Sequence, residues 1–185
     1  MSRAIGKLVI HHRSDGVAMG TLDAFFMMRC IGAVSPADVL ATLKCGEIVK
    51  ACRPQGSATI VAVDPTSTFP SEETRRVARE ATRQTNVQTS ALVVILLGDG
   101  FWASAIRGVL ITLTSLSPTE QARKIVRQEA EGIDWIVDII GESPQKYRSA
   151  LLLALAELKS GALPSKSKPP VAPSKLPPSS KRQAE

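Results

Sequence analysis

The densest run of groups able to carry chemistry is Asp64-Pro65-Thr66-Ser67-Thr68, followed by Phe69-Pro70-Ser71. It places one carboxylate and the hydroxyls of Thr66, Ser67, Thr68 and Ser71 where an apolar stretch gives way to a strongly charged one. Hydroxyls at such a strand-to-helix turn have two uses. Thr68 or Ser71 can cap the exposed amides of the helix start. Alternatively, one of them can accept a phosphoryl group, which adds about −1.5 to −2 charge beside a helix N-terminus and reorders the turn or repels a partner. A second turn, Gly98-Asp99-Gly100, offers backbone amides that can cradle an anion. It has neither the GxGxxG spacing nor a P-loop lysine, and Asp99 repels phosphate, so it reads as a structural turn. Asp99 with Trp102 and Arg107 marks the edge of a candidate pocket, and convergence of Asp64, Asp99 and Arg107 is what an enzyme reading requires.

Other reactive side chains form no constellation. His11 and His12 are adjacent, so on a regular strand they point to opposite faces and cannot share a metal. Cys30, Cys45 and Cys52 form no CxxC, and their odd number argues against a disulfide framework. Cys45 and Cys52 lie seven apart, two helical turns on one face, without further ligands nearby, and read as buried structural residues. With no GxSxG and only two histidines, no catalytic residue, metal or cofactor is expected.

The elements that position these residues follow from periodicity and punctuation. Ala4 to Ile10 reads as a strand and, after the turn Ser14-Asp15-Gly16, Val17 to Cys30 as a second apolar segment, together an opening hairpin. Ser35-Pro36-Ala37-Asp38 has a capping serine, a proline at the first helical position and a carboxylate at the third, which opens a helix from Pro36 to about Ala51. Ala58 to Val63 and Val87 to Leu97 read as buried strands; the second holds all but the final glycine of the run ALVVILLG, apolar enough to be covered on both faces of a parallel sheet. Between them SEETRRVAREATRQ is a solvated helix. Phe101 to Leu116 reads as the next helix, Lys124 to Gln128 as an edge strand, Glu129 to Ile140 as a helix, and Pro144 to Lys159 as a final apolar helix too short to span a membrane.

Composition bounds the rest. The chain has 185 residues, 44% hydrophobic and 22% charged, which suits one domain with a tail. The expected units are an α/β domain over 1–142, a helix over 143–161 that packs on the domain or on a partner, and a disordered basic, proline-rich tail over 162–185. The formal charge of +6 divides unevenly: the tail holds five cations against Glu185, a net of +4, which leaves +2 for the remainder. The folded part is therefore near neutral, and specific nucleic-acid binding is not expected of it. Within the tail, Pro170, Pro173 and Lys175 match a PxxP core followed by a basic residue, a pre-formed segment suited to docking on aromatic grooves. Neither a signal peptide nor a membrane span is read, so a cytoplasmic protein is expected.

The order strand, strand, helix, strand, helix, strand, helix, strand, helix, helix resembles the STAS and SpoIIAA-like domains, and GFWASAIRGVLITLTSLS with RKIVRQEAEGIDWI is similar to STAS-like proteins of predatory soil bacteria. The resemblance spans roughly Ile5 to Ile140 and implies a mixed sheet of about five strands flanked by helices. It further implies a non-catalytic regulatory or protein-interaction module, in bacterial signalling. In the anti-anti-sigma branch a serine in a D-S-S-G turn is phosphorylated; Asp64 to Ser71 offers hydroxyls at the corresponding turn but lacks the glycine. Two rivals stay open: a small apolar ligand or lipid-binding domain, with a pocket between the apolar helices and the sheet, and an enzyme. A homo-oligomer formed through the last helix also stays open.

Overall fold

A computed structural model describes residues 4–52, 57–84, 89–98 and 122–160. Its elements are β1 (Val9–Arg13), β2 (Val17–Leu22), β3 (Phe25–Cys30), α1 (Pro36–Cys52), β4 (Ser57–Val63), α2 (Glu72–Gln84), β5 (Thr89–Leu96), β6 (Ala122–Val126), α3 (Glu129–Ile139) and α4 (Pro144–Ser160). The strands form one mixed α/β sheet in the order β1-β2-β3-β4-β5-β6. The first three pair antiparallel, and β3 through β6 run parallel. The carboxyl ends of four parallel strands thus share one edge of the molecule, where sheets of this kind present their loops.

The apolar segment Val17 to Cys30 is two strands where the sequence suggests one. Leu22 pairs with Phe25, so Asp23-Ala24 is a two-residue hairpin turn, and Asp23 adopts φ 50°. Such turns favour asparagine or glycine in the left-handed region. Asp23 is held there by its own side chain, which accepts from Gly6 N at 3.2 Å and from the Tyr147 hydroxyl at 3.3 Å. One carboxylate therefore ties the chain start and α4 to the hairpin.

The first strand begins later than expected, at Val9, and carries a register shift between Ile10 and His12. A bulge breaks the strict alternation of side chains. His11 reaches Thr21 Oγ1 and His12 reaches Asp38 Oδ1, both at 2.8 Å. Thr21 alternates with Val17 and Met19, which pack with Cys45 and Val49 of α1. Both histidines thus turn toward α1, which corrects the opposite-face expectation.

Period-two alternation divides the core cleanly. Ala18, Leu22, Phe25, Met27, Ile60, Val93 and Ile95 face α3 and α4, which contribute Ile133, Ile136, Leu151, Leu155 and Leu158. Val17, Met19, Phe26, Cys30, Val63, Val94 and Leu96 face α1. The last helix packs on its own sheet: Leu151, Leu155 and Leu158 are fully buried, and Tyr147 lies 5.2 Å from the Phe25 ring. Helix ends follow their local chemistry. Ser35 N and Oγ donate to Asp38 Oδ2 at 2.8 and 2.7 Å, while Asp38 N donates to Ser35 Oγ at 3.2 Å, a reciprocal box at the start of α1. Gly141 at φ 73° closes α3, with Glu142 N donating to Val137 O at 3.0 Å. Among the described residues no helix is long and apolar enough to cross a membrane. The expected helix over 101–116 and the tail lie outside the described residues.

Candidate functional site

Alternation on β3 puts Arg29 on the same face as Phe25 and Met27, and alternation on β4 carries Asp64 onto the face of Ile60 and Ala62. The two meet at the carboxyl edge of the sheet. Arg29 Nε and Nη2 donate to Asp64 Oδ2 and Oδ1 at 2.8 Å each, a bidentate fork. Arg29 Nη1 donates to Glu129 Oε1 at 2.8 Å and to Leu155 O at 3.1 Å. Lys159 Nζ lies 3.5 Å from Asp64 Oδ1. Two cations and two carboxylates are thereby matched, and the central pair is almost wholly buried, each side chain 4% exposed.

The electrostatics follow from that geometry. Burial alone would raise the Asp64 carboxyl, but the hydrogen bonds and charge of Arg29, with Lys159 behind, outweigh it and hold the group below the usual carboxylate range. Burial works against the Arg29 cation too, and Asp64 and Glu129 more than offset it, so the guanidinium is held even more firmly protonated. Burial, with the charges of Asp38 and Asp64, pushes the neighbouring Cys30 thiol up to about 12, which leaves it inert as a nucleophile. Among the described residues no group of three or more His, Cys, Asp or Glu side chains is placed to hold a metal.

Above this cluster sits the turn that the sequence singles out. Ser67 Oγ donates to Cys30 O at 2.8 Å, Thr66 Oγ1 to Ile31 O at 2.7 Å, and Thr68 N to Gly32 O at 3.4 Å. The turn therefore rests on the loop that follows β3. That loop rests in turn on Ser14-Asp15-Gly16, where Ile31 N and Gly32 N donate to Gly16 O; a Cβ on Gly16 would come within 2.0 Å of Ala33 O, so only glycine permits the approach. Ser71 Oγ accepts from Thr74 N at 3.1 Å and caps α2.

The candidate residues fall into separate classes. Asp64 and Ser67 are buried and engaged inward; Thr66 is exposed with its hydroxyl committed to Ile31; Ser71 is exposed and serves as the cap. Thr68 is exposed and its hydroxyl makes no hydrogen bond among the described residues. Beside it Phe69 is 47% exposed. An open hollow of about 390 Å³ at this edge is lined by Ile31, Asp64, Pro65, Thr66 and Lys159. Asp99, Trp102, Arg107, Pro170, Pro173 and Lys175 lie outside the described residues.

Sequence reasoning did not single out Arg29, Glu129 or Lys159. The one available signal is a lone cation in the apolar run FFMMRC, since an arginine inside a central strand demands a buried partner.

No family model matches the sequence, and no curated protein matches it. A solved structure similar to this chain is that of an uncharacterized DUF3478-family protein with a SpoIIAA-like fold from Shewanella loihica PV-4. The match has a TM-score of 0.44 at 11% identity and covers 74% of this chain and 98% of that one.

Proposed function

We propose that this chain is a non-catalytic protein-interaction module of the STAS-like kind, whose contact surface is the turn from Asp64 to Ser71 with the outward side of α2. The supporting observation is that the polar groups of the turn are spent inward. Asp64 on Arg29, Ser67 on Cys30 and Thr66 on Ile31 brace a loop whose remaining side chains, Thr68 and Phe69, stand exposed. A braced loop with an exposed aromatic loses little conformational freedom on association, which favours binding. If the surface is switched by charge, Thr68 is the hydroxyl through which a phosphoryl group acts without breaking a hydrogen bond seen here.

Cross-linking capture from host lysate with the full chain, its Phe69→Ser variant and its Thr68→Glu variant tests this reading. A protein retained by the parent and lost in both variants, with circular dichroism unchanged, supports it. Equal retention by all three overturns it. A stoichiometric apolar molecule co-purifying in place of a protein replaces it with ligand binding.

A further inference from the structure

We infer that the outward side of α2 is an arginine ridge that receives a helical protein segment with carboxylates one turn apart. This inference rests on the interaction reading and names the partner of that same surface.

Helix α2 is divided sharply between two sides. Thr74, Val77, Ala78 and Ala81 face inward, toward α1, with Thr74 and Ala81 buried. Arg75, Arg76 and Arg79 are exposed on the opposite side, with Arg75 and Arg79 four residues apart. Four residues of helix advance about 6 Å. Carboxylates at i and i+4 of a second helix have the same rise, so two helices laid side by side bring the two ladders into register.

The arginines are also uncommitted. Several other cations of the domain are paired, Lys124 with Glu131, Lys146 with Glu142 and Arg148 with Asp134, while Lys7 and Lys44, outside α2, stand exposed as isolated charges among the described residues. Glu72 stands four residues before Arg76 and Glu80 four after it, yet no ion pair of Arg75, Arg76 or Arg79 occurs among the described residues. Arginine suits this use because its planar fork engages a carboxylate through two donors.

A protein helix fits better than a nucleic acid. The arginines form a single narrow stripe with Glu72 within it and Glu73 and Glu80 beside it, which suits one line of carboxylates rather than the two phosphate strands of a duplex. Base stacking has little to use, since Phe69 is the aromatic at this surface. Phe69 instead supplies an apolar anchor just before the first turn of α2, the combination of aromatic and arginine that concentrates binding energy at protein interfaces.

The test uses the full chain and a fluorescein-labelled synthetic helix carrying Glu at i, i+4 and i+8 with one Leu beyond, against the same helix with Gln in place of Glu. Fluorescence anisotropy is expected to show the Glu helix binding about tenfold more tightly, with that margin shrinking as salt rises from low to high. Arg75→Glu with Arg79→Glu is expected to abolish the margin. Lys175→Glu with Lys181→Glu, in the basic tail, is expected to preserve it. Equal affinity for the two helices, or a margin that survives the α2 variant, overturns the inference. Tighter binding of a labelled oligo-dT or of phosphatidylserine vesicles, lost in the α2 variant, also overturns it and reassigns the ridge. If the inference fails while Phe69→Ser still abolishes cross-linking capture, the interaction surface stands with a partner of other chemistry; if both fail, the interaction reading falls with it.

Discussion

Arg29 and the arginines of α2 are the same side chain put to opposite uses. Arg29 is buried, and its donors reach Asp64, Glu129 and the Leu155 carbonyl. Arg75, Arg76 and Arg79 lie in solvent on a helix that buries its other side. The difference teaches that burial, rather than charge, separates a group that holds the fold from one available to a partner. A buried guanidinium cannot lose a neighbour cheaply, because the remaining charge has no water to turn to. An exposed one exchanges neighbours at almost no cost, which is the property an interface needs.

The largest effect that can break this contrast is at Arg29. Arg29→Met is expected to destabilise the domain by about 3–5 kcal/mol in urea unfolding, because Asp64 is left buried beside Lys159 alone. Joining it to Asp64→Leu should return most of that loss, since an apolar pair replaces the ionic one. A loss under about 1 kcal/mol for Arg29→Met would show that the cluster behaves as a surface pair.

Acid supplies the next test. Asp64 and Asp38 are both held below the ordinary carboxylate range, Asp38 because His12, Ser35 and Ser14 outweigh its burial. A carboxyl depressed in the folded state contributes stability that is complete above its unfolded pKa of about 3.9 and disappears as pH falls through the folded value. Thermal midpoints should therefore be level from about pH 7 to pH 5 and fall below about pH 4. Asp64→Asn should make that acid limb shallower; Arg75→Gln with Arg79→Gln should leave its slope alone.

A smaller loss is expected at the helix start between the two regions. Ser71→Ala removes the acceptor for Thr74 N and should cost about 1 kcal/mol, read from the shift in urea midpoint. Smallest of all, Arg75→Gln with Arg79→Gln should change stability by no more than about 0.5 kcal/mol. A larger drop would mean that the ridge belongs to the fold.

Local chemistry was the legible part of this molecule. Ser35 and Asp38 announce the start of α1, and their spacing alone specifies the reciprocal hydrogen bonds that form there. The apolar stretch from Ala91 to Leu96 lies in β5, parallel to its neighbours on both sides. The turn Asp64 to Ser71 stood out because hydroxyls cluster at a strand end. What escaped depends on distance along the chain. Arg29 meets partners 35, 100 and 126 residues away, and no window of sequence holds them together. The split between β2 and β3 escaped for another reason: Asp23-Ala24 has no glycine, and its conformation is fixed by Gly6 and Tyr147 from remote segments. The bulge in β1 turned both histidines toward α1, an outcome that simple alternation excludes.

The partner separations of Arg29 also set an order in time. A chain emerging from the ribosome presents Arg29 first, Asp64 after 35 more residues, Glu129 after 100 and Leu155 after 126. Asp64 pairs with Arg29 early, but the residues that cover this face, Ile133 and Ile136 of α3 and Leu151, Leu155 and Leu158 of α4, come late, so the face stays open to water until α4 is made. Helix α4 then completes the cover of that face, and a chain stopped at 142 should be one still waiting to dry its core.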